Sequence, residues 1–378
     1  MIPVSTQSHA GRVRIAEHVV ELRSLRLSDG ASWRKTNLDY EQRLQDAFHE
    51  PGVSWDEKHS TAAWAEQWWT ARNAENPLIS RVLTVDDESG PRVVGQQSVT
   101  GPDPRSGHAE TLTWVAGLPQ SKAVTYWMSA VDVLDTFEQF PQVSAMLAVQ
   151  PVENRGSLAL ATSLGFTYLQ TARSLRDYAG TPTDHTIYVL HNTAESRREL
   201  QKAIDSVAPQ ELPRSRAALP PAHAAVDLAR ITVRRIRAKR AARAVPATRS
   251  LPARALSDDG LDIVFGDPHD GRYPVTVDGV PMGALQVTGD AGSSTTTIID
   301  WMRRDTPPAI ATDVLVAACR AAAERQDTRR LTVALAERHT GAHDPLIAIG
   351  FFSEGATLPT LGDEGSPRES WTRLRNDT

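Results

Sequence analysis

The sequence predicts an α/β (α+β) protein in which a mixed central sheet flanked by helices occurs twice in tandem. Three observations predict it. Strand-like alternation and helix-like periodicity succeed one another over residues 1–195 and again over 251–378. The two stretches share spacings: Gly95 to Trp114 is 19 residues and Gly283 to Trp301 is 18, while Trp114 to Gly165 is 51 and Trp301 to Gly350 is 49. Between them, 196–250 carries Pro209, Pro213, Pro220, Pro221 and Pro246 among many Ala and Arg, the pattern of a helical connector broken by prolines. The repeat is of domain scale, not a solenoid period. Two unrelated α/β domains are the alternative.

In the first part, HVVELRSLR (18–26) alternates as a strand does. SDGASWRKTNLDYEQRLQDAF (28–48) opens on a Ser/Asp cap and reads as a helix. STAAWAEQWWTARNAE (60–75) is a second helix with Trp64 and Trp68 on one face. LISRVLTVDD (78–87), PRVVGQQSVT (91–100) and HAETLTWVA (108–116) are three strands, the first two joined through Gly90. AVTYWMSAVDVLDTF (123–137) is a helix and SAMLAVQP (144–151) a buried strand. NRGSLALATSLGF (154–166) is a short helix ending at Gly165, a C-cap signal. TYLQTARSLRDYAG and DHTIYVL (184–190) close the sheet.

The third part repeats the plan. PVTVDGVPMGALQVT (274–288) resembles the first two strands of the central run, and TTTIIDWM (295–302) resembles AETLTWV. ATDVLVAACRAAAERQ (311–326) is the helix, RRLTVALAE (329–337) the buried strand, and DPLIAIGFFSEGA (344–356) the helix ending in Gly-Phe. Only a short lead-in precedes these strands, so the two front helices of the first part are expected to be missing.

Composition narrows the class. At 40% hydrophobic and 23% charged, the chain matches an ordinary globular protein. A net charge of −5 argues against wholesale nucleic-acid coating, though not against a local basic patch. Cys319 is the single cysteine, which excludes an intrachain disulfide, a cysteine-rich zinc site and a CxxC redox pair. The eleven histidines form no ligand-spaced group, so no metal is expected. The apolar runs fall short of the ~18 residues of a spanning helix, and the first twenty residues lack the apolar stretch of a signal peptide. The expectation is a cytoplasmic protein without membrane contact.

The order strand, two helices, three-strand meander, helix, strand, helix, strand carries a chemical signature in VQPVENRGSLALATSLGF (149–166), followed by DHTIYVL. Pro151, Asn154 and Ser157 form a Pro-x-x-Asn-x-x-Ser segment after a strand, and Leu164-Gly165-Phe166 ends the next helix. This resembles the RimJ/RimL branch of the GNAT acyltransferases, well over 18–190 and more weakly over 272–356. The resemblance implies a GNAT-like fold, acetyl-CoA as co-substrate, and a primary amine as acceptor, either a protein N-terminus such as that of a ribosomal protein or a small molecule.

Physical chemistry assigns the parts. An extended pantetheine arm hydrogen-bonds an unpaired strand edge as another strand would, and Thr113, Trp114 and Val115 are placed to offer one. A pyrophosphate needs converging N–H groups at a helix N-terminus, and GLPQSKAVT (117–125), with Gln120, Ser121, Lys122, Ala123 and Val124, is the candidate cradle. The family loop carries glycines where this chain has Ser121 and Ala123. A left-handed Ser121 would cost ~1–2 kcal/mol, weakening cofactor binding rather than abolishing it. Lys122 either pairs with a phosphate in compensation or is a solvated loop lysine.

By resemblance, Asn154 orders the cofactor arm and Ser157 protonates the departing thiolate; alternatively Asn154 is a helix N-cap and Ser157 its first-turn neighbour. Arg155 is a further candidate phosphate ligand. Glu110 is the first candidate base, with His185 beside Asp184 behind it, and an α-amine of pKa ~7.7–8.0 needs little help. Trp64, Trp68 and Trp69 line an acceptor pocket or, at helical spacing, belong to the core.

The second copy lacks these features. Its loop RRDTPPAIAT (303–312) has Pro307 and Pro308 where N–H donors are needed, and the Asn-x-x-Ser segment reads His343-Asp344-Pro345-Leu346. It is expected to be a degenerate, truncated, non-catalytic domain. In the connector, RITVRRIRAKRAAR (230–243) has seven Lys/Arg and no acid: a docking arm for the ribosome or an acidic surface, or a solvated helix. The reading overall is an N-acetyltransferase, its rival a catalytically decayed tandem scaffold that binds a partner without turnover.

Overall fold

Alternating strand sequences and apolar helices assemble here into two sheets. The structure, a computed structural model, describes residues 9–48, 53–73, 79–87, 90–100, 107–178, 180–214, 251–269, 271–290, 295–303, 305–324, 329–357 and 368–375. The chain divides into two units, one of residues 1–168, 178–180 and 187–242, the other of 169–177, 181–186 and 243–378. The basic segment 230–243 lies outside the described residues. Among those described, no helix is long and apolar enough to cross a membrane.

The first sheet begins with β1 (Arg12–Ile15) and β2 (His18–Ser24). The predicted single helix over 28–48 is instead a 3-10 turn, Leu27–Asp29, followed by α1 (Gly30–Asp39) and α2 (Glu41–Phe48), broken at Tyr40, where φ −117 and ψ 24 leave the helical region. Then come α3 (Trp55–Lys58), α4 (Thr61–Asn73), β3 (Ile79–Asp87), β4 (Gly90–Thr100), β5 (His108–Val115), α5 (Lys122–Gln139), β6 (Ala145–Pro151), α6 (Arg155–Ser163), β7 (Thr167–Tyr178), β8 (Thr181–His191), α7 (Ala194–Ser206) and β9 (Gln210–Leu212). The sheet order is β7-β8-β6-β5-β4-β3-β2-β1-β9. β1, in a stretch whose sequence predicts no element, and β9, in the stretch read as a helical connector, form its far edge.

Strand parity sorts the side chains into two layers. On one face, Leu22, Leu83, Val94, Val99, Ala109 and Val115 pack with α5, α6 and α7 in the larger core. On the other, Val82, Val93 and Trp114 pack with Trp33 of α1 and Trp64 of α4. Trp64 is therefore core, as its helical spacing allowed, and its indole donates to the Arg26 carbonyl. A bulge at Val94 interrupts the β3–β4 register beside Gly95. Gly95 is required there, because a Cβ would lie 2.8 Å from the Trp114 carbonyl oxygen.

The second unit holds β10 (Arg254–Leu256), β11 (Asp262–Phe265), β12 (Arg272–Val277), β13 (Val280–Asp290), β14 (Thr295–Met302), α8 (Pro308–Ala323), β15 (Arg330–Ala336), α9 (His343–Ala348), β16 (Phe352–Thr357) and β17 (Arg368–Leu374). Its order, β10-β11-β12-β13-β14-β15-β17-β16, repeats that of the first sheet from β1 to β7, strand for strand. The register agrees too: the residue after each glycine faces each tryptophan, Gln96 opposite Trp114 and Ala284 opposite Trp301. The lead-in contains two strands, β10 and β11, and among the described residues no helix stands between β11 and β12. Also in this unit, Glu354 pairs with Arg330, both nearly fully buried, and accepts the Arg173 backbone N–H at 2.8 Å.

Both helices after the parallel strand end alike. Gly165 (φ +85) and Gly350 (φ +88) take the left-handed conformation. The Phe166 N–H reaches back to Ala161 O at 3.1 Å, and that of Phe351 to Leu346 O at 2.9 Å. Both phenylalanines are buried, closing the same hydrophobic C-cap.

Candidate active site

The site is built where two parallel strands part. β5 and β6 pair only at His108↔Ala145, Ala109↔Met146 and Glu110↔Leu147. β5 then runs on to Val115, held on its other side by β4 as far as Gly95↔Val115. The edge Thr111–Val115 is therefore not paired to β6, and the two strands part there. This is the open arrangement required of an arm-binding strand.

The chain leaves β5 in a tight loop. The Ala116 N–H donates to Val94 O at 2.7 Å. Gly117, at φ +73, is pressed by Tyr40 and Arg92: an added Cβ would lie 2.8 Å from the tyrosine ring and 3.1 Å from an Arg92 guanidinium nitrogen. Leu118 anchors the loop in the core. The residue in the left-handed conformation is Gln120 (φ +48), not Ser121, whose φ of −71 is ordinary. The expected strain thus falls one residue earlier, on an exposed glutamine, and Ser121 is free to begin α5.

Ser121 is the N-cap of α5, but its side chain does not cap the helix. Its carbonyl accepts both the N–H and the hydroxyl of Thr125, at 2.8 and 2.9 Å. The first-turn N–H groups of Lys122, Ala123 and Val124 therefore carry no side-chain cap and point along the positive end of an 18-residue helix. The Lys122 side chain is exposed and that of Val124 is fully buried, so Val124 offers only its backbone. These residues fit a phosphate-bearing ligand.

Asn154 caps α6, its side chain accepting the Ser157 N–H at 3.2 Å. The structural alternative for Asn154 thus holds whatever else it does. Ser157 is half-buried in the first turn of α6, which packs on the α5 side of the sheet. The Tyr126 hydroxyl of α5 donates to Ser163 O at 3.2 Å, tying the far end of α6 to α5. Glu110 has the parity of Trp114 and lies on the opposite, tryptophan-lined face, at the last rung before the cleft. Ser157 and Glu110 thus lie on opposite faces of the sheet. Trp114 and Val115 both bury their side chains, leaving their backbone to the cleft. His185 is buried in the second unit, where its Nδ1 lies 2.8 Å from Thr183 O.

Sequence reading missed two features. The clamp of Tyr40 and Arg92 on Gly117 comes from elements distant in sequence. A buried row under α5 was also overlooked, although Asp132 and Asp135 at i, i+3 in the otherwise apolar VDVLDTF signal it.

The strand order, the parted pair and the uncapped helix together make a domain with an unpaired strand edge beside a free helix N-terminus. Residues 22–187 match the family described as acetyltransferase (GNAT) domain, a match that spans less than half of the chain and supports an acyltransferase domain there. RimJ of Mycobacterium smegmatis, solved with CoA-disulfide, is 20% identical over 54% of this chain and 96% of its own, with a TM-score of 0.43. The ribosomal-protein-S5-alanine acetyltransferase of Vibrio fischeri is 16% identical over 48% and 97%, with a TM-score of 0.41. The microcin C7 self-immunity acetyltransferase MccE, solved with acetyl-CoA and AMP, is 14% identical over 49% and 97%, with a TM-score of 0.38. No curated protein matches the chain.

Proposed function

We propose that the first unit moves an acetyl group from acetyl-CoA to a primary amine, of the kind presented by a protein N-terminus such as that of a ribosomal protein. The carrying observation is the end of the β5–β6 ladder at Glu110, which leaves Thr111–Val115 open beside the uncapped start of α5. In this reading Thr113, Trp114 and Val115 hold the pantetheine amides through their backbone. The N–H groups of Ser121, Lys122, Ala123 and Val124, with Gln120 shaping the turn, receive the pyrophosphate, and Lys122 adds a charge. Asn154 caps α6 and orders the arm. Glu110 takes the proton of the incoming amine from the tryptophan-lined face, and Ser157 gives one to the departing sulfur from the α5 face.

We further propose that the second unit, residues 251–378 in the main, is a degenerate GNAT-like domain without turnover. The turn Glu337–Ala342 packs on α8. A Cβ added at its Gly341 would lie 3.9 Å from the Thr312 methyl, near the start of that helix. Counted back from the shared glycine, His339 stands where Asn154 does, four residues before the His343 that sequence alone suggested. His339 is fully buried.

Calorimetric titration with acetyl-CoA tests the first reading. One equivalent should bind in the micromolar range, and Lys122→Ala and Asn154→Ala should each weaken it, while Asn154→Ser, which keeps a cap, should keep the fold. No binding at millimolar ligand would leave the rival, a partner-binding scaffold.

A further inference from the structure

The α5-facing side of the first sheet carries three cross-strand rows. Ile79–Val99–Thr111 lies nearest the origin of the cleft, Leu83–Gly95–Val115 nearest the loop, and Arg81–Gln97–Thr113 between them. Directly opposed residues of an antiparallel pair share a face, so the middle row is a polar band beneath an otherwise apolar helix. Arg81 meets two carboxylates of α5, Asp132 at 3.1 Å and Asp135 at 2.7 Å, all of them buried. Gln97 is 0% exposed, and both of its amide atoms lack a hydrogen-bond partner. So do the Thr111 hydroxyl, the Ser129 hydroxyl and Asp132 Oδ2.

Buried polar atoms left dry are destabilising, and five of them line this side of the sheet and the facing helix. A polar seam of this kind is where ordered water is retained, each molecule serving two to four groups. Thr111 follows Glu110, the last residue paired to β6, so one end of the seam meets the cleft. The other end reaches the surface: the His9 N–H donates to Asp135 Oδ1 at 2.9 Å, and the half-buried His9 ring lies 3.3 Å from Glu138.

The second unit supplies an internal comparison. The row equivalent to Arg81–Gln97 is Tyr273–Leu285, and both residues are buried in its apolar core. At these two positions the buried polar pair of the first unit is replaced by an apolar pair in the second.

We propose that this seam is a water-filled proton route serving the acyl-transfer cleft, with Asp132 as the group that supplies the proton taken up by the leaving sulfur. The inference rests on the acetyl-CoA reading above. As the amine nitrogen bonds to the acyl carbon and the C–S bond breaks, its electron pair goes to sulfur. A seam water at Thr111 gives sulfur a proton, directly or through Ser157. Asp132 replaces that proton and is left a carboxylate facing Arg81. It regains a proton from solvent by way of the Asp135–His9 end, while the amine's own proton leaves on the Glu110 face. The charged groups facing Asp132 are Arg81 from β3 and Asp135 from its own helix, with His9 beyond Asp135. Burial pushes the Asp132 carboxyl up to about 6 despite Arg81, so it holds a proton in a useful fraction of molecules near neutrality.

The test is acetyl transfer by the full chain, with Asp132→Asn, Thr111→Val and Ser129→Ala compared across pH. Each variant should keep its circular dichroism and acetyl-CoA affinity. Asp132→Asn and Thr111→Val should lower kcat about tenfold or more at pH 7, with KM within twofold, and flatten the kcat profile near pH 6. The selenoester analogue of acetyl-CoA, whose leaving group needs no proton, should restore the variants to the unmodified rate. Unchanged kcat and profile in the folded variants, or an equal loss on the selenoester, would overturn the route while leaving the acyltransferase reading in place. Failure of the unmodified chain to bind acetyl-CoA would overturn that reading and the route with it.

Discussion

In the first unit three residues, Val152–Asn154, lead from β6 to α6; in the second, six residues lead from β15 to α9 and coil into Glu337–Ala342. Both units part their parallel strands, after Glu110↔Leu147 in one and after Ile298↔Val333 in the other. Both end the following helix on a left-handed glycine and a buried phenylalanine. They differ in what surrounds the opening. α5 begins with uncapped N–H groups, whereas α8 begins with Pro308 after Pro307, which removes donors. The lesson is that strand order and C-caps, which build the fold, are shared, while the loop chemistry and the polar band, to which we assign the ligand and its protons, are not.

The largest expected effect comes from breaking the polar band that the second unit lacks. Arg81→Met leaves Asp132 and Asp135 buried without their cation and should cost about 3–5 kcal/mol in urea unfolding. Adding Asp132→Asn and Asp135→Asn should recover a substantial part of it. A loss below about 1 kcal/mol for the single change would mean that Arg81 does not hold the two carboxylates in the fold.

The same band predicts a pH dependence. The Asp132 carboxyl sits at about 6 in the fold against an ordinary value of 3.8, chiefly because burial disfavours its charge. Its protonated form is therefore favoured by folding. The stability this group contributes is fully present below pH 4 and is lost as pH rises through 6, by about 3 kcal/mol. Unfolding free energies measured from pH 4 to 7 should show this decline, and Asp132→Asn should remove it.

Much of the fold was legible because it rests on periodicity and punctuation. The spacings of Gly95, Trp114 and Gly165 against Gly283, Trp301 and Gly350 express one register and one C-cap used twice. Asn154 and Ser157 were legible because a cap and its first turn are adjacent in sequence. What escaped depends on short or long-range geometry. β9 has three residues and no readable period. Tyr40, at the break between α1 and α2, lies against Gly117, 77 residues away in sequence. The row Arg81–Gln97–Thr113 unites residues from three strands that only the register aligns.

The shared C-caps give a matched pair of smaller predictions. Gly165→Ala and Gly350→Ala each force a side chain into the left-handed region, where a Cβ meets only ordinary contacts, with Leu190 at 3.9 Å and Arg373 at 3.5 Å. Each should cost about 1–2 kcal/mol. Equal losses in chemical denaturation would support their equivalence, and a loss at one position alone would break it.

The smallest effect tests where the loop before α5 carries its strain. Glycines were expected at the positions of Ser121 and Ala123, yet the left-handed residue is Gln120. Gln120→Gly relieves about 1–2 kcal/mol of left-handed strain and gives back roughly 0.5–1 kcal/mol through the freer unfolded chain. A net stabilisation of about 0.5–1 kcal/mol should follow, whereas Ser121→Gly, at an ordinary φ, should destabilise slightly. Acetyl-CoA affinity should stay within about threefold in Gln120→Gly, because the converging N–H groups belong to the helix and not to the glutamine. A tenfold loss would show that the Gln120 side chain itself holds the ligand, and would move the contrast between the two units from backbone donors to that residue.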